Sequence, residues 1–73
     1  MKTYTLEAVV RGQTVKFDKK FTSRTSAINY MFAYLEDHCI FDNQVKDEYP
    51  VNGDIHNIEY KINYYNRFRV CRV

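Results

Sequence analysis

Alternation of apolar and polar side chains at both ends of the chain is the feature that most limits how it can fold. In the N-terminal stretch the apolar positions are Tyr4, Leu6, Ala8 and Val10, and Thr3, Thr5, Glu7 and Arg11 are their polar neighbours. A period of two residues is typical of a β-strand with one buried face. The alternation resumes at Val15 and Phe17, after Gly12, which can take the positive φ of a tight turn. We therefore predict a hairpin that pairs residues 3–11 with residues 14–20.

The middle of the chain has a different period. Its apolar positions recur at helical spacing and gather on one face, formed by Ile28, Met31, Phe32, Leu35 and Cys39. Thr22 or Ser23 can accept the free N–H groups of a first helical turn. We expect a helix over residues 23–39 that buries this face, with Tyr30 on the opposite side and Tyr34 on the flank.

The last segment returns to the strand period. Its inward positions are Ile58, Tyr60, Ile62 and Tyr64, followed by a turn near Tyr65 and Asn66 and then by Phe68 and Val70. Arg67 and Arg69 therefore follow the pleat of a strand and do not form a flexible basic arm. We predict a second hairpin with one apolar and one polar face.

Residues 40–54 are the least regular part of the chain and contain four of its nine acidic residues. Pro50 argues against a central strand in this segment. The dipeptide of Asn52 and Gly53 is a strong turn signal. It could close a short extra hairpin or form a simple bend that leads into the next strand, and both alternatives stay open.

The predicted order of elements is β-β-α-β-β, which is an α+β fold. A lone amphipathic helix must bury its apolar face, and the inner faces of the two hairpins are the surface available to it. We expect one four-stranded, mainly antiparallel sheet with the helix packed on one face. The 73 residues form a single small domain in this interpretation, and the order of the strands is left open.

Composition narrows the classes of function. Eleven Lys and Arg residues against nine Asp and Glu residues give a formal net charge of +2, which by itself indicates neither nucleic acid nor an anionic membrane as a partner. No apolar run approaches the roughly 20 residues that cross a bilayer. Glu7 and Arg11 interrupt the window of a secretory signal. Cys39 and Cys71 form no disulfide framework, so we expect reduced thiols in a cytoplasmic protein.

Catalysis and metal binding have little support in the sequence. The acids of the irregular segment are Asp42, Asp47, Glu48 and Asp54, and their spacing is unlike that of a calcium loop. Neighbouring helical residues point about 100° apart, so His38 and Cys39 cannot easily converge on one ion. The two glycines are isolated and cannot form a phosphate-binding loop. We therefore predict a protein that is not an enzyme and has neither metal nor cofactor.

The polar face of the predicted sheet is one candidate binding surface. Its candidate nucleic-acid contacts are the cations Lys16, Lys61, Arg67 and Arg69, with Tyr65 near the turn as an aromatic side chain that could stack a base. Sheets that bind single strands need aromatic side chains on the same face. Because the other tyrosines of both hairpins are predicted to point mainly inward, nucleic-acid binding is our second choice.

Contact with another protein is our first choice. Tyr30, Tyr34 and Tyr49 would supply exposed aromatic anchors of the kind enriched at interfaces, together with the loop of residues 41–54. The uncovered sheet face leaves room for a homodimer, although its polar character argues against full burial. The size and style of the chain suggest a small regulatory accessory protein of a phage or other mobile element, an impression that no particular residue supports.

Overall fold

A computed structural model describes residues 2–73 as five strands and one helix. In chain order the elements are β1 (Tyr4–Val10), β2 (Gln13–Phe21), α1 (Arg24–Asp37), β3 (Asp47–Val51), β4 (Asp54–Lys61) and β5 (Arg67–Arg72). The strands form one antiparallel sheet in the order β2-β1-β5-β4-β3. The predicted α+β class, with one helix packed against an antiparallel sheet, is confirmed.

The prediction of four strands is wrong, because the irregular segment contains a fifth. β3 pairs with β4 through a two-residue turn in which Asn52 has a φ of 54° and Gly53 a φ of 78°. Positive φ at both positions is typical of a type I′ hairpin turn, which Asn-Gly favours. The turn between β1 and β2 is similar, with Arg11 at 53° and Gly12 at 81°. Pro50 is tolerated because β3 lies at the edge of the sheet, where one side of the strand needs no ladder hydrogen bonds.

Capping interactions define both ends of α1. Ser23 is the N-cap, and its Oγ accepts the N–H of Ser26 at 3.1 Å. At the other end the N–H of Ile40 donates to the carbonyl of Leu35 at 2.8 Å, and Cys39 has a φ of 61°. This is a Schellman motif, in which the residue after the C-cap takes the left-handed conformation. Cys39 therefore lies beyond the helix and is exposed, contrary to its predicted place on the buried face.

The core lies between α1 and the inner face of the sheet. The buried residues outside the helix are Leu6, Ala8, Val10, Phe21, Tyr60, Ile62, Phe68 and Val70. Ala27, Met31 and Leu35 are the buried residues of the helix. Ile28 and Phe32, predicted to be buried, are only half-buried and pack at the margin of this cluster. The neighbouring strands of α1 are β1, β2 and β5, so the helix sits over that half of the sheet.

Two arginines link the ends of α1 to neighbouring segments through hydrogen bonds. The guanidinium of Arg24 donates to the carbonyl oxygens of Val70 at 2.8 Å and His56 at 3.3 Å. The guanidinium of Arg11 donates to the carbonyl of the C-cap residue His38 at 2.7 Å. A cation at this end also complements the helix dipole. The helix is therefore held at both ends as well as along its apolar face.

The predicted division of the second hairpin into two faces is confirmed with one exception. Tyr60, Ile62 and Phe68 are buried on the helix side, whereas Lys61 and Arg69 are exposed on the other side, which we call the open face. Tyr64 was expected to continue the apolar face, but it is 89% exposed. The reason is that β4 ends at Lys61 and the chain turns before reaching Tyr64.

Truncation at the centre of the helical core tests this packing. Leu35 is fully buried, so Leu35→Ala should lower the free energy of unfolding by about 2–5 kcal/mol through lost apolar contacts and a residual cavity. Urea denaturation followed by circular dichroism would measure the change. The control Glu36→Ala, at the exposed neighbouring position, should change the free energy by less than about 0.5 kcal/mol. Equal stability of the two variants would contradict the described orientation of α1.

Candidate functional site

Side chains on the open face form a row across all five strands. Backbone pairing places Lys16, Glu7, Arg69, Glu59 and Tyr49 side by side from β2 to β3, and we call these residues the central row. Its charges alternate in sign, and opposite charges on neighbouring strands stabilise a sheet. With two cations and two carboxylates, the central row neutralises itself.

Glu59 lies near one end of this row and is buried although no helix covers it, with 5% of its surface exposed. One carboxylate oxygen accepts a hydrogen bond from Nε of Arg69 at 2.9 Å, and the other accepts one from the hydroxyl of Tyr49. Nε of Arg67 lies 3.9 Å from the same carboxylate. These side chains replace water around a charged group, which requires such partners when it is buried.

The partners of Glu59 keep it ionised. Burial raises the pKa of its carboxyl group, but the hydrogen bonds from Tyr49 and Arg69 and the charges of both arginines outweigh this effect. The pKa of Glu59 therefore lies below its usual value of 4.5. The pKa of Tyr49 is raised above its usual 10.0, mainly because its hydroxyl donates to the carboxylate. The cluster is a charged contact that stabilises the sheet.

The next row of the open face is not neutralised in this way. It consists of Thr14, Val9, Arg67, Lys61 and Asp47 on successive strands. Lys61 and Arg67 are direct cross-strand partners, and like charges in that position destabilise a sheet. Among residues 2–73 Lys61 forms no ion pair, and the contact of Arg67 with Glu59 is long. Asp47 is the cross-strand neighbour of Lys61 on the other side, so this row contains two cations and one carboxylate and keeps a net positive charge.

A cleft lies beside this pair of cations. It has a volume of about 610 Å³ and is lined by Lys46, Asp47, Lys61, Asn63, Tyr64 and Arg67. Three cations against one carboxylate make the lining positive, and none of these residues is aliphatic. We call it the cationic cleft. Its chemistry suits a ligand with negative charge and a flat surface that can stack on a ring.

Two tyrosines project from the loop between β4 and β5, next to the cleft. Tyr64 is 89% exposed and Tyr65 is 64% exposed, so packing of the core does not explain either of them. Their ring centroids lie 4.9 Å apart with the planes at 79°. We call residues 63–66 the tyrosine loop. Large apolar side chains exposed together indicate an interaction surface, whereas singly exposed ones are ordinary.

Hydrogen bonds hold the tyrosine loop in a fixed shape. The side-chain oxygen of Asn63 accepts the backbone N–H groups of Tyr65 at 2.9 Å and Asn66 at 3.0 Å. Asn66 is buried, and its side-chain oxygen accepts the backbone N–H of Arg11 at 2.9 Å. The N–H of Gly12 donates to the carbonyl of Tyr65 at 3.3 Å. The loop is therefore anchored to the β1–β2 turn and presents both rings on a constrained backbone.

The structure brings together three of the five residues predicted for nucleic acid. Lys61 and Arg67 line the cationic cleft, and the ring of Tyr65 contacts that of Tyr64 beside it. Arg69 and Lys16 instead belong to the central row, where carboxylates lie on the neighbouring strands.

The three tyrosines predicted for protein contact do not share one surface. Tyr49 lies on the open face, with its hydroxyl on Glu59. Tyr30 and Tyr34 lie on the helix side, where both rings make edge contacts with Phe17, at 5.7 and 5.0 Å between centroids. This corrects the expectation that Tyr30 lies opposite the buried face. The helix is rotated from the predicted orientation so that this flank faces β2.

Sequence reasoning missed Tyr64 and Lys46 as residues of the site. Extrapolated alternation assigned Tyr64 to the buried face, although Asn63 and Asn66 on either side of the tyrosine pair were a usable signal. Asparagine favours turns because its side chain hydrogen-bonds to nearby backbone. Lys46 reaches the cleft through pairing beside β4, where its N–H donates to the carbonyl of Lys61 at 2.7 Å.

A metal centre or a membrane-spanning helix within residues 2–73 would also indicate a function. Within that range no cluster of three or more His, Cys, Asp and Glu side chains could hold a metal ion. The same residues contain no helix with the length and hydropathy of a membrane span. Comparisons with protein-family models, curated proteins and solved structures found no match to this chain. The function is therefore argued from the geometry and chemistry of the cationic cleft and the tyrosine loop.

The contacts of Glu59 predict that the free energy of unfolding decreases at acidic pH. Its pKa is lower in the folded protein than the usual 4.5, so ionised Glu59 favours folding above that pH, and the contribution is lost as the pH falls through the lowered pKa. Urea denaturation at a series of pH values should show a steeper loss for the wild type than for Glu59→Gln. At neutral pH the variant should be less stable by about 1–3 kcal/mol, because Arg69 loses a charged partner.

Glu7→Gln is the matched control for this experiment. Glu7 belongs to the same row, but it is exposed and forms no ion pair within residues 2–73. Its variant should keep the acid dependence of the wild type. If Glu59→Gln also kept that dependence unchanged, the described contacts of Glu59 would be wrong.

Proposed function

We propose that this protein is a small non-catalytic binding protein that binds nucleic acid through the cationic cleft and the tyrosine loop. The observation that carries the proposal is the cross-strand pair of Lys61 and Arg67 beside the exposed ring of Tyr64. Cations attract the phosphate backbone, and exposed aromatic rings stack on bases. The site combines both components within a few residues of each other.

The exposure of a second ring, that of Tyr64, favours nucleic acid over protein as the class of partner. From the sequence, Tyr65 was the one aromatic side chain available for stacking, since Tyr64 was expected to point inward. With both rings exposed and that of Tyr64 next to three cations, the site has the aromatic and basic composition that favours nucleic acid. The cores of protein interfaces are typically more apolar than this cleft.

A protein partner with an acidic surface is the second candidate. It is favoured by the presence of tyrosine and arginine together, because both are enriched among the residues that dominate protein interfaces. In this alternative the same Tyr64, Tyr65 and Arg67 would make the contacts. The predicted cytoplasmic location stays a prediction, with which the two free cysteines agree.

The edges of the sheet argue against a partner that adds a strand. β2 carries Lys16, Lys19 and Lys20 and pairs with β1 in a shifted register, and β3 contains Pro50. Lysines, bulges and prolines are the means by which natural sheets block edge-to-edge pairing. A protein partner or a second copy of this chain would therefore have to use side chains.

Fluorescence anisotropy with a labelled pyrimidine-rich oligonucleotide of about 10 nucleotides tests the proposal. The double variant Lys61→Ala/Arg67→Ala should bind roughly tenfold more weakly at low salt, because two phosphate contacts are lost. Wild-type affinity should fall steeply with salt. The slope of log K against log[salt] should become shallower in the variant by about 0.7 for each lost contact.

Lys16→Ala/Lys20→Ala is the matched control, since it removes the same charge from exposed positions on the distant edge strand β2. It should bind nearly as well as the wild type. If both double variants lost the same affinity for the oligonucleotide, binding would depend on net charge alone. The cleft would then not be the binding site. Absence of oligonucleotide binding at low salt would exclude nucleic acid as the ligand and leave the protein partner.

A further inference from the structure

The geometry of the two exposed rings restricts the form of nucleic acid that can bind. Tyr64 and Tyr65 are neighbours in the chain, yet their ring planes are 79° apart with centroids 4.9 Å from each other. A base stacks with its plane parallel to an aromatic ring. Two bases stacked on these two rings would therefore be nearly perpendicular to each other.

Perpendicular neighbouring bases do not occur in a regular duplex. There, successive bases are parallel and about 3.4 Å apart along the axis, so each base covers the faces of its neighbours. Bases in single strands, loops and ends can be unstacked and turned outward onto aromatic side chains. The ring pair therefore favours unpaired nucleotides whose bases are splayed apart.

Two cations line the same cleft as one of the two rings. Tyr64 lines the cleft together with Lys61 and Arg67, so a base on this ring brings its phosphate close to both cations. The ammonium of Lys61 lies 5.5 Å from the ring centroid of Tyr49. This cation–π contact positions Lys61 on the open face without neutralising its charge.

The fixed shape of the tyrosine loop lowers the entropic cost of binding. Asn63 accepts hydrogen bonds within the loop, and buried Asn66 joins the loop to the β1–β2 turn. Groups that are ordered before binding lose less conformational freedom when the ligand arrives. The backbone that carries both rings is therefore ordered before a strand binds.

We infer that the ligand is single-stranded nucleic acid with two neighbouring bases splayed apart, one stacked on each ring of the tyrosine loop. The phosphate between them is held by Lys61 and Arg67. This inference rests on the proposed function and goes beyond it, because a protein that binds through its cations alone would accept duplex and single strand alike.

The test compares binding of the full chain to single-stranded and duplex oligonucleotides of equal length, in DNA and in RNA form. Either kind of single strand should bind more tightly than its duplex. Tyr64→Ala and Tyr65→Ala should each weaken single-strand binding by about 5- to 150-fold, the range for loss of one base–aromatic stack, and weaken duplex binding much less. Tyr64→Phe and Tyr65→Phe keep the ring and should retain wild-type affinity.

Two controls separate stacking from general effects. Ile55 is 73% exposed at the opposite end of the sheet, so Ile55→Ala should bind as the wild type does. Circular dichroism should show that the alanine variants of the two exposed tyrosines fold normally. In the wild type, the ring protons of both tyrosines should shift upfield in NMR spectra when the single strand is added.

The outcomes distinguish the inference from the function on which it rests. Equal binding of single strand and duplex would overturn the inference and leave the proposed function standing. Wild-type affinity in the two alanine variants would also overturn the inference, and it would restrict the proposed function to the cationic cleft, provided that Lys61→Ala/Arg67→Ala still loses binding. Failure of every oligonucleotide to bind at low salt would overturn both.

Discussion

The packing of Met31 and Leu35 against the inner face of the sheet is the contact on which the rest of the structure depends. A 14-residue helix cannot cover five strands, and α1 sits over β1, β2 and β5. In residues 2–73 the open face has no covering layer, so polar side chains occupy it. The charge pattern that defines the candidate site therefore follows from the limited cover that one helix provides.

On the open face, the pairing of charges differs between two neighbouring rows. Arg69 faces Glu59 across the strands and donates to its carboxylate at 2.9 Å, which stabilises the sheet. One row away on the same two strands, Arg67 faces Lys61, and no carboxylate lies between them. A displacement of two residues along a strand thus decides whether an arginine faces a carboxylate or another cation.

The tyrosine loop adds planar aromatic rings to a site whose other residues are charged or polar. Its shape depends on the β1–β2 turn, because the backbone N–H of Arg11 binds Asn66 while the side chain of Arg11 binds the C-cap carbonyl of His38. One turn therefore connects the loop, the helix and the edge of the sheet. The two exposed rings are therefore carried by a loop whose backbone is anchored by hydrogen bonds.

The sequence by itself determined which strand residues point to the core, such as Tyr60 and Phe68, because side chains in a strand alternate between faces. It did not determine the fifth strand, since β3 is short, contains Pro50 and is stabilised by pairing with β4 rather than by a pattern of its own. Nor did it show that Lys61 and Arg67 are opposite each other beside an exposed ring, because that depends on where β4 ends and on the register of β5. Strand order and register are decided by the energy of the assembled sheet, so the candidate site exists only in the tertiary structure.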